Sequence, residues 1–171
     1  MSTSDRAYHH GDLRTALLDA ADGLLDAGGD GAVSLREAAR IAGVSPAAAY
    51  RHFADKEALL GALALRHFAA FGQALGRAGG SRVALGRAYI RFALARPGRF
   101  RLMFGALLGR VAPGSPLARA AEATFAGIEA ASPTRDDALR AWGMVHGLAH
   151  LLLDGAIKEE DADALIDRLI V

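Results

Sequence analysis

The chain contains no cysteine, which excludes a disulfide framework, a thiolate metal site and a cysteine nucleophile. Lysine is almost as scarce, with only Lys56 and Lys158 against many arginines. Together with abundant alanine and glycine, that bias follows base composition more readily than function. No run of about 18 unbroken apolar residues occurs, and no charged-apolar-small leader is evident. A cytoplasmic chain with no membrane partner is therefore expected. Strand-like alternation and internal repeats are missing as well. What remains is 171 residues of 52% hydrophobic content, enough to bury a real core as one large domain or two small ones.

The net charge of +1 says nothing about nucleic acid, but its distribution is uneven. Residues 1–60 carry a net −3, residues 61–119 hold ten arginines and no acid, and residues 120–171 carry a net −6. The N-terminal third thus lacks the overall basic footprint common in DNA binders. Asp19, Asp22 and Asp26 recur at helical spacing, and this puts them on one face, expected to point away from DNA.

The most informative stretch runs from Ser34 to Leu60. Ser34 and Glu37 have the spacing of a capping box, in which each side chain satisfies a backbone N–H at a helix start. The helix that follows carries Ala38, Ala39 and Ala42 and meets Gly43, a residue that enters the left-handed conformation without steric cost. After Val44, Ser45 and Pro46 open a second helix, serine as N-cap and proline at the first helical position. Two helices joined by so tight a turn cross steeply, which small residues such as Ala39 and Ala49 permit. This pattern predicts a helix-turn-helix whose second helix enters the major groove. Tyr50-Arg51-His52-Phe53 closes it, and Asp55-Lys56-Glu57 caps a third helix with Ala58, Leu59 and Leu60.

That string resembles the N-terminal domain of TetR-type (tetracycline-repressor-like) transcriptional regulators. The resemblance implies backbone contacts to operator DNA from Tyr50, His52 and Lys56, whose phenol, imidazole and ammonium groups can all donate to phosphate. Ser34 and Arg36 sit where the first hairpin helix would cross the backbone. The reading helix offers Ser45, Pro46, Ala47, Ala48 and Arg51, a set poor in hydrogen-bonding groups; methyl contacts to thymine from Ala47 or Ala48 and a guanine or phosphate contact from Arg51 are the available modes. Family members often carry a large aliphatic residue where this chain has Ala49. The motif Ala141-Trp142-Gly143-Met144-Val145-His146-Gly147-Leu148 resembles the Trp-Gly and His-Gly pairs of one subclass of TetR-like ligand-binding domains, as does Arg96-Pro97-Gly98-Arg99-Phe100-Arg101-Leu102-Met103-Phe104.

The rest reads as helices. Arg6, Tyr8, His9 and His10 precede Asp12, which is expected to cap a helix striped by Leu13, Leu17, Ala20, Ala21, Leu24 and Leu25 and ended at Ala27-Gly28-Gly29. A long helix from Lys56 to about Gly76 follows, then helices opened near Ser81, Pro97, Ser115, Asp136 and Ala162, with a loop over Arg110 to Pro116. Arg82, Arg87, Arg91 and Arg96 read as a solvated or acid-pairing set. The predicted fold is all-α, about nine helices: residues 1–55 form a three-helix helix-turn-helix domain, and residues 56–171 an effector-binding and dimerisation domain.

Within that second domain, Tyr89, Phe92, Phe100, Met103, Phe104, Leu107, Phe125, Trp142 and His146 are the candidate walls of a pocket for a small apolar or amphipathic effector. A plain aromatic core is the alternative for the same residues. His146 and His150 have the spacing for a shared metal, but no third ligand accompanies them in sequence, so no metal or cofactor is expected. No positioned nucleophile, carboxylate dyad or phosphate cradle points to an enzyme. One helix-turn-helix makes too few contacts for operator specificity, which a two-fold dimer supplies. A homodimer through helices near 136–153 and 160–170 is expected, with Leu165, Leu169 and Ile170 in the interface. The sequence thus reads as a repressor released from double-stranded operator DNA by a small molecule, with a ligand-independent architectural DNA binder as the alternative.

Overall fold

The computed structural model describes residues 10–158 and 162–169, with side chains from Leu13 onward. Arg6, Tyr8, His9 and His10, the Asp12 cap and Ile170 lie outside the described residues or side chains. Among the described residues there are nine α-helices and no strand. They are α1 (His10–Ala32), α2 (Leu35–Ile41), α3 (Pro46–Tyr50), α4 (Lys56–Ala78), α5 (Arg82–Ala95), α6 (Pro97–Phe104), α7 (Pro116–Ala130), α8 (Arg135–Leu153) and α9 (Ala162–Leu169), with a single 3₁₀ turn at Leu108–Arg110.

Two compact units divide the chain between Leu63 and Ala64, inside α4. The sequence placed the boundary ahead of Lys56. The difference has a physical cause: Leu59 and Leu63 on the first turns of α4 are completely buried and belong to the core of the first unit. By length and composition α4 could cross a membrane, with a mean hydropathy of 1.3 over its most apolar window. Its apolar side chains are instead spent inside the units, Leu59 and Leu63 in the first, Phe68 and Phe71 in the second.

In the first unit, α1 is interrupted at Gly28 and Gly29, the latter at φ +71°, a conformation that a side chain would strain. Leu17, Ala21 and Leu25 bury the inner stripe of α1, which packs against α2. Asp22 is buried too, whereas Asp19 and Asp26 are exposed. The buried arc of α1 is wider than its apolar stripe, and Asp22 falls within it between Ala21 and Leu25.

In the second unit, α5 packs on α8, α6 and α9, and α7 on α8. Its centre is Phe68, Phe71, Tyr89, Ile90, Phe100 and Met103, each at most 2% exposed. Ile166 and Leu165 of α9 are buried within the same chain. This corrects the assignment of Leu165 to a surface between subunits: of the three residues given to that surface, only Leu169 is described as exposed. The segregated charges meet here as well. Arg87 pairs with Asp167 and Arg91 with Asp163, joining the arginine-rich α5 to the acidic α9.

Candidate functional site

The hairpin geometry follows from its caps. Ser34 Oγ accepts the Glu37 N–H at 3.1 Å, and Ser45 Oγ accepts the Ala48 N–H at 3.2 Å. Only half of the expected capping box forms: the Glu37 carboxylate turns to Arg40, 2.6 Å away, instead of reaching back to the cap. That pairing holds the Glu37 carboxyl below its usual range, through the Arg40 hydrogen bond first, against burial, with the Arg40 charge adding a smaller effect in the same direction. Gly43 closes the turn at φ +70°, and the Val44 N–H reaches the Ala39 carbonyl at 2.9 Å. Ala39 and Ala49 are both fully buried where the helices cross. A residue without bulk is what such a crossing requires, so Ala49 suits the position.

On α3, Pro46, Ala47 and Tyr50 face outward and Ala48 and Ala49 inward. Tyr50 is 47% exposed. Ala48 is 8% exposed, so its methyl is turned into the core and the thymine contact suggested for Ala47 or Ala48 falls to Ala47. Arg51, Arg36, Ser45 and Lys56 are exposed, and His52 and Ser34 half-buried. Lys56 Nζ lies 3.4 Å from the Gly31 carbonyl, a long contact that leaves its charge open to solvent. Phe53 is buried, with the Arg14 guanidinium 5.1 Å above its ring.

Burial separates the aromatic set of the second unit into two groups. Tyr89, Phe100, Met103 and Leu107 are buried, whereas Phe92, Phe104, Phe125, Trp142 and His146 are half-buried. Rings meet edge-on or tilted, as their quadrupoles favour: Phe71 and Tyr89 at 4.9 Å, Phe104 and His146 at 5.0 Å, Phe125 and Trp142 at 5.4 Å. The Trp142 indole N–H donates to the Tyr89 hydroxyl at 3.1 Å, which lies 2.9 Å from His146 Nδ1. Burial, and then the neighbouring His150, hold His146 below its usual pKa. With the imidazole neutral, the relay assigns the Tyr89 O–H as donor to Nδ1 and the ring proton to Nε2. Burial also pushes the Tyr89 phenol upward, against the Trp142 hydrogen bond, so it remains protonated. His146 and His150 have ring centroids 4.7 Å apart, yet among the described residues no group of three metal-binding side chains gathers.

Of the nine candidate walls, Phe92 borders an open groove of about 500 Å³ between α4 and α5, and Tyr89 and Trp142 border a smaller void. It is a slot of about 30 Å³ between α5 and α8, also lined by Leu75, Leu85 and Val145. That volume holds a water, not a drug-sized molecule. Adjoining it across Leu75, Leu85 and Ala131 is an open groove of about 380 Å³ between α4 and α7. The sequence reading missed this groove because it searched for bulky walls; the signal was two sets of small residues at helical spacing, Gly72 and Gly76 on α4 and Ala123, Gly127 and Ala130 on α7.

A capped helical hairpin with an outward-facing second helix, followed by an all-helical unit, defines the class of helix-turn-helix DNA-binding transcription regulators. Residues 17–63 match the family of bacterial regulatory proteins of the tetR type, and residues 82–171 match the tetracyclin repressor-like C-terminal domain. The chain belongs to the TetR family. Family members bind operator DNA and form dimers. Among solved structures, a Rhodococcus sp. RHA1 protein of unknown function is 33% identical, with a TM-score of 0.78 and coverage of 96% of this chain and 95% of its own. The fatty acid degradation regulator FadR of Bacillus halodurans shares the fold at 14% identity, with a TM-score of 0.70 over 95% of this chain and 94% of its own. A TetR transcriptional regulator of Rhodococcus sp. RHA1 does so at 22% identity, with a TM-score of 0.65 over 95% and 98%. No curated protein is significantly similar to the chain.

Proposed function

We propose that the protein is a cytoplasmic, ligand-responsive repressor that leaves its operator when a small molecule occupies the second unit. The observation behind this reading is the outward ridge of α3, where a phenol, Tyr50, stands 47% exposed on a helix held by a serine cap. Ser34, Arg36, Tyr50, Arg51, His52 and Lys56 contact phosphates; Ser45, Pro46 and Ala47 line the groove edge. The effector-binding unit begins within α4, at Ala64, and the Trp142-Gly143 and His146-Gly147 pairs mark the subclass. A homodimer closes through α8, whose Leu139, Met144 and Leu151 are exposed apolar residues, and through Leu169 of α9. Effector binding acts by its differential affinity for dimer forms whose reading helices are rightly or wrongly spaced for successive grooves.

The test is binding of the protein to the duplex upstream of its own gene, measured by fluorescence anisotropy with and without Tyr50→Ala. The variant is expected to weaken operator binding with an unchanged melting temperature, and wild-type affinity would remove Tyr50 from the interface. One observation favours the ligand-independent architectural reading: Phe100 and Met103 are completely enclosed, and the slot between α5 and α8 holds about 30 Å³. Equal affinity for unrelated duplexes at one salt concentration would select that reading.

A further inference from the structure

We infer that the effector is an amphipathic organic monoanion whose charged group is held by Arg82 and whose apolar body lies along the α4–α7 groove and into the slot toward Tyr89. This rests on the ligand-responsive reading above and gives it a ligand class. Among the described residues that line the slot and the adjoining groove, Arg82 is the single charged side chain. The remaining lining is uncharged, mostly aliphatic or small, with Thr124 in the groove and Ser132, Tyr89 and Trp142 in the slot. A cation would meet the Arg82 charge and find no carboxylate; a wholly apolar ligand would leave that guanidinium unused.

Arg82 is exposed and keeps its charge available. Asp137 feels its field, but the Asp137 carboxylate is bonded to Thr134 Oγ1 at 2.7 Å and to Arg140 Nη1 at 2.9 Å. On α5, Arg82, Leu85, Gly86 and Tyr89 share the face that lines the slot. Seven residues separate Arg82 from Tyr89, a rise of roughly 10 Å along the helix, which sets the distance from the anionic group to the polar end. The slot is too small to admit the body as it stands. Entry from the 380 Å³ groove requires α5, α7 and α8 to part around Leu85, Ile128 and Val145, so occupancy is tied to helix displacement.

Trp142 is the one tryptophan in the chain, and its emission reports the slot directly. The full-length protein is titrated with octanoate and with octanol at pH 7.5, probes of matched length that differ in charge. Octanoate is expected to give a saturable change and to bind about tenfold more tightly than octanol. Arg82→Gln should remove that preference and leave octanol binding unchanged. Gly127→Leu, at a site with open space around the position of a Cβ, should block both. Equal binding of the two probes, no saturable change with either, or octanoate binding indifferent to Arg82→Gln would overturn the inference. Failure of the repressor reading is separately visible: octanoate would saturate Trp142 while operator affinity stayed constant.

Discussion

The Tyr89 hydroxyl stands between Trp142 and His146, accepting from the indole at 3.1 Å and lying 2.9 Å from imidazole Nδ1. Two helices are joined by one oxygen, α5 supplying the phenol and α8 both partners. Tyr89→Phe keeps the ring and deletes the link, leaving two partly buried polar groups unmatched. A loss of about 1–3 kcal/mol is expected in urea unfolding, with a shift in Trp142 emission. An unchanged midpoint would make the hydroxyl dispensable.

Acidification should destabilise the second unit. His146 has its pKa lowered from 6.5 by burial and by His150, so between its folded pKa and 6.5 the unfolded chain takes up a proton that the folded chain refuses. Stability therefore falls as pH drops through the unfolded value and levels off below the folded one. Thermal midpoints of wild type and His146→Gln measured between pH 8 and pH 5 should converge at the acid end. Parallel curves would show that His146 does not contribute to the dependence.

At the crossing of α2 and α3, Ala49→Leu adds volume where none is free. The hairpin should lose about 1–3 kcal/mol, whereas the exposed neighbour Ala47→Leu should be nearly neutral in stability. Calorimetry on the pair decides whether inward and outward faces of α3 are correctly divided, since equal costs would contradict the division.

For Lys56→Gln, weaker operator binding is expected across all duplex sequences, with the slope of log affinity against log salt reduced by about one. A change confined to one sequence would reassign Lys56 from phosphate to base contact.

Self-association through α8 can be read by sedimentation. Leu139→Glu combined with Leu151→Glu places charge on exposed apolar positions, so folding should survive while the dimer dissociates to monomer. A double variant that sediments as wild type would move the interface elsewhere.

Much of the fold was legible because it is written locally. Ser34, Ser45, Ser81 and Ser115 each cap the helix that the sequence assigned to them, and Gly43 adopts the turn its identity suggested. Local pattern does not decide which side of a five-residue helix faces the core, so Ala47 and Ala48 looked alike. Nor does it show that Glu37 prefers Arg40 to its own cap, or that Asp22 lies inside the buried arc of α1. Long-range choices were the least visible: the seat of Leu165, and the void beside Tyr89 that depends on what four helices leave unfilled.

The two ion pairs between α5 and α9 repeat at matching intervals, four residues on each helix. Sliding α9 by one turn would keep only one of the two pairs, since the next positions along that strip of α5 are Val83 and Ala95. A slipped alignment would thus lose one ion pair and also draw the buried Leu165 and Ile166 from their places in the core. The register of α9 is therefore indexed twice, by two charged steps on its surface and two aliphatic side chains beneath.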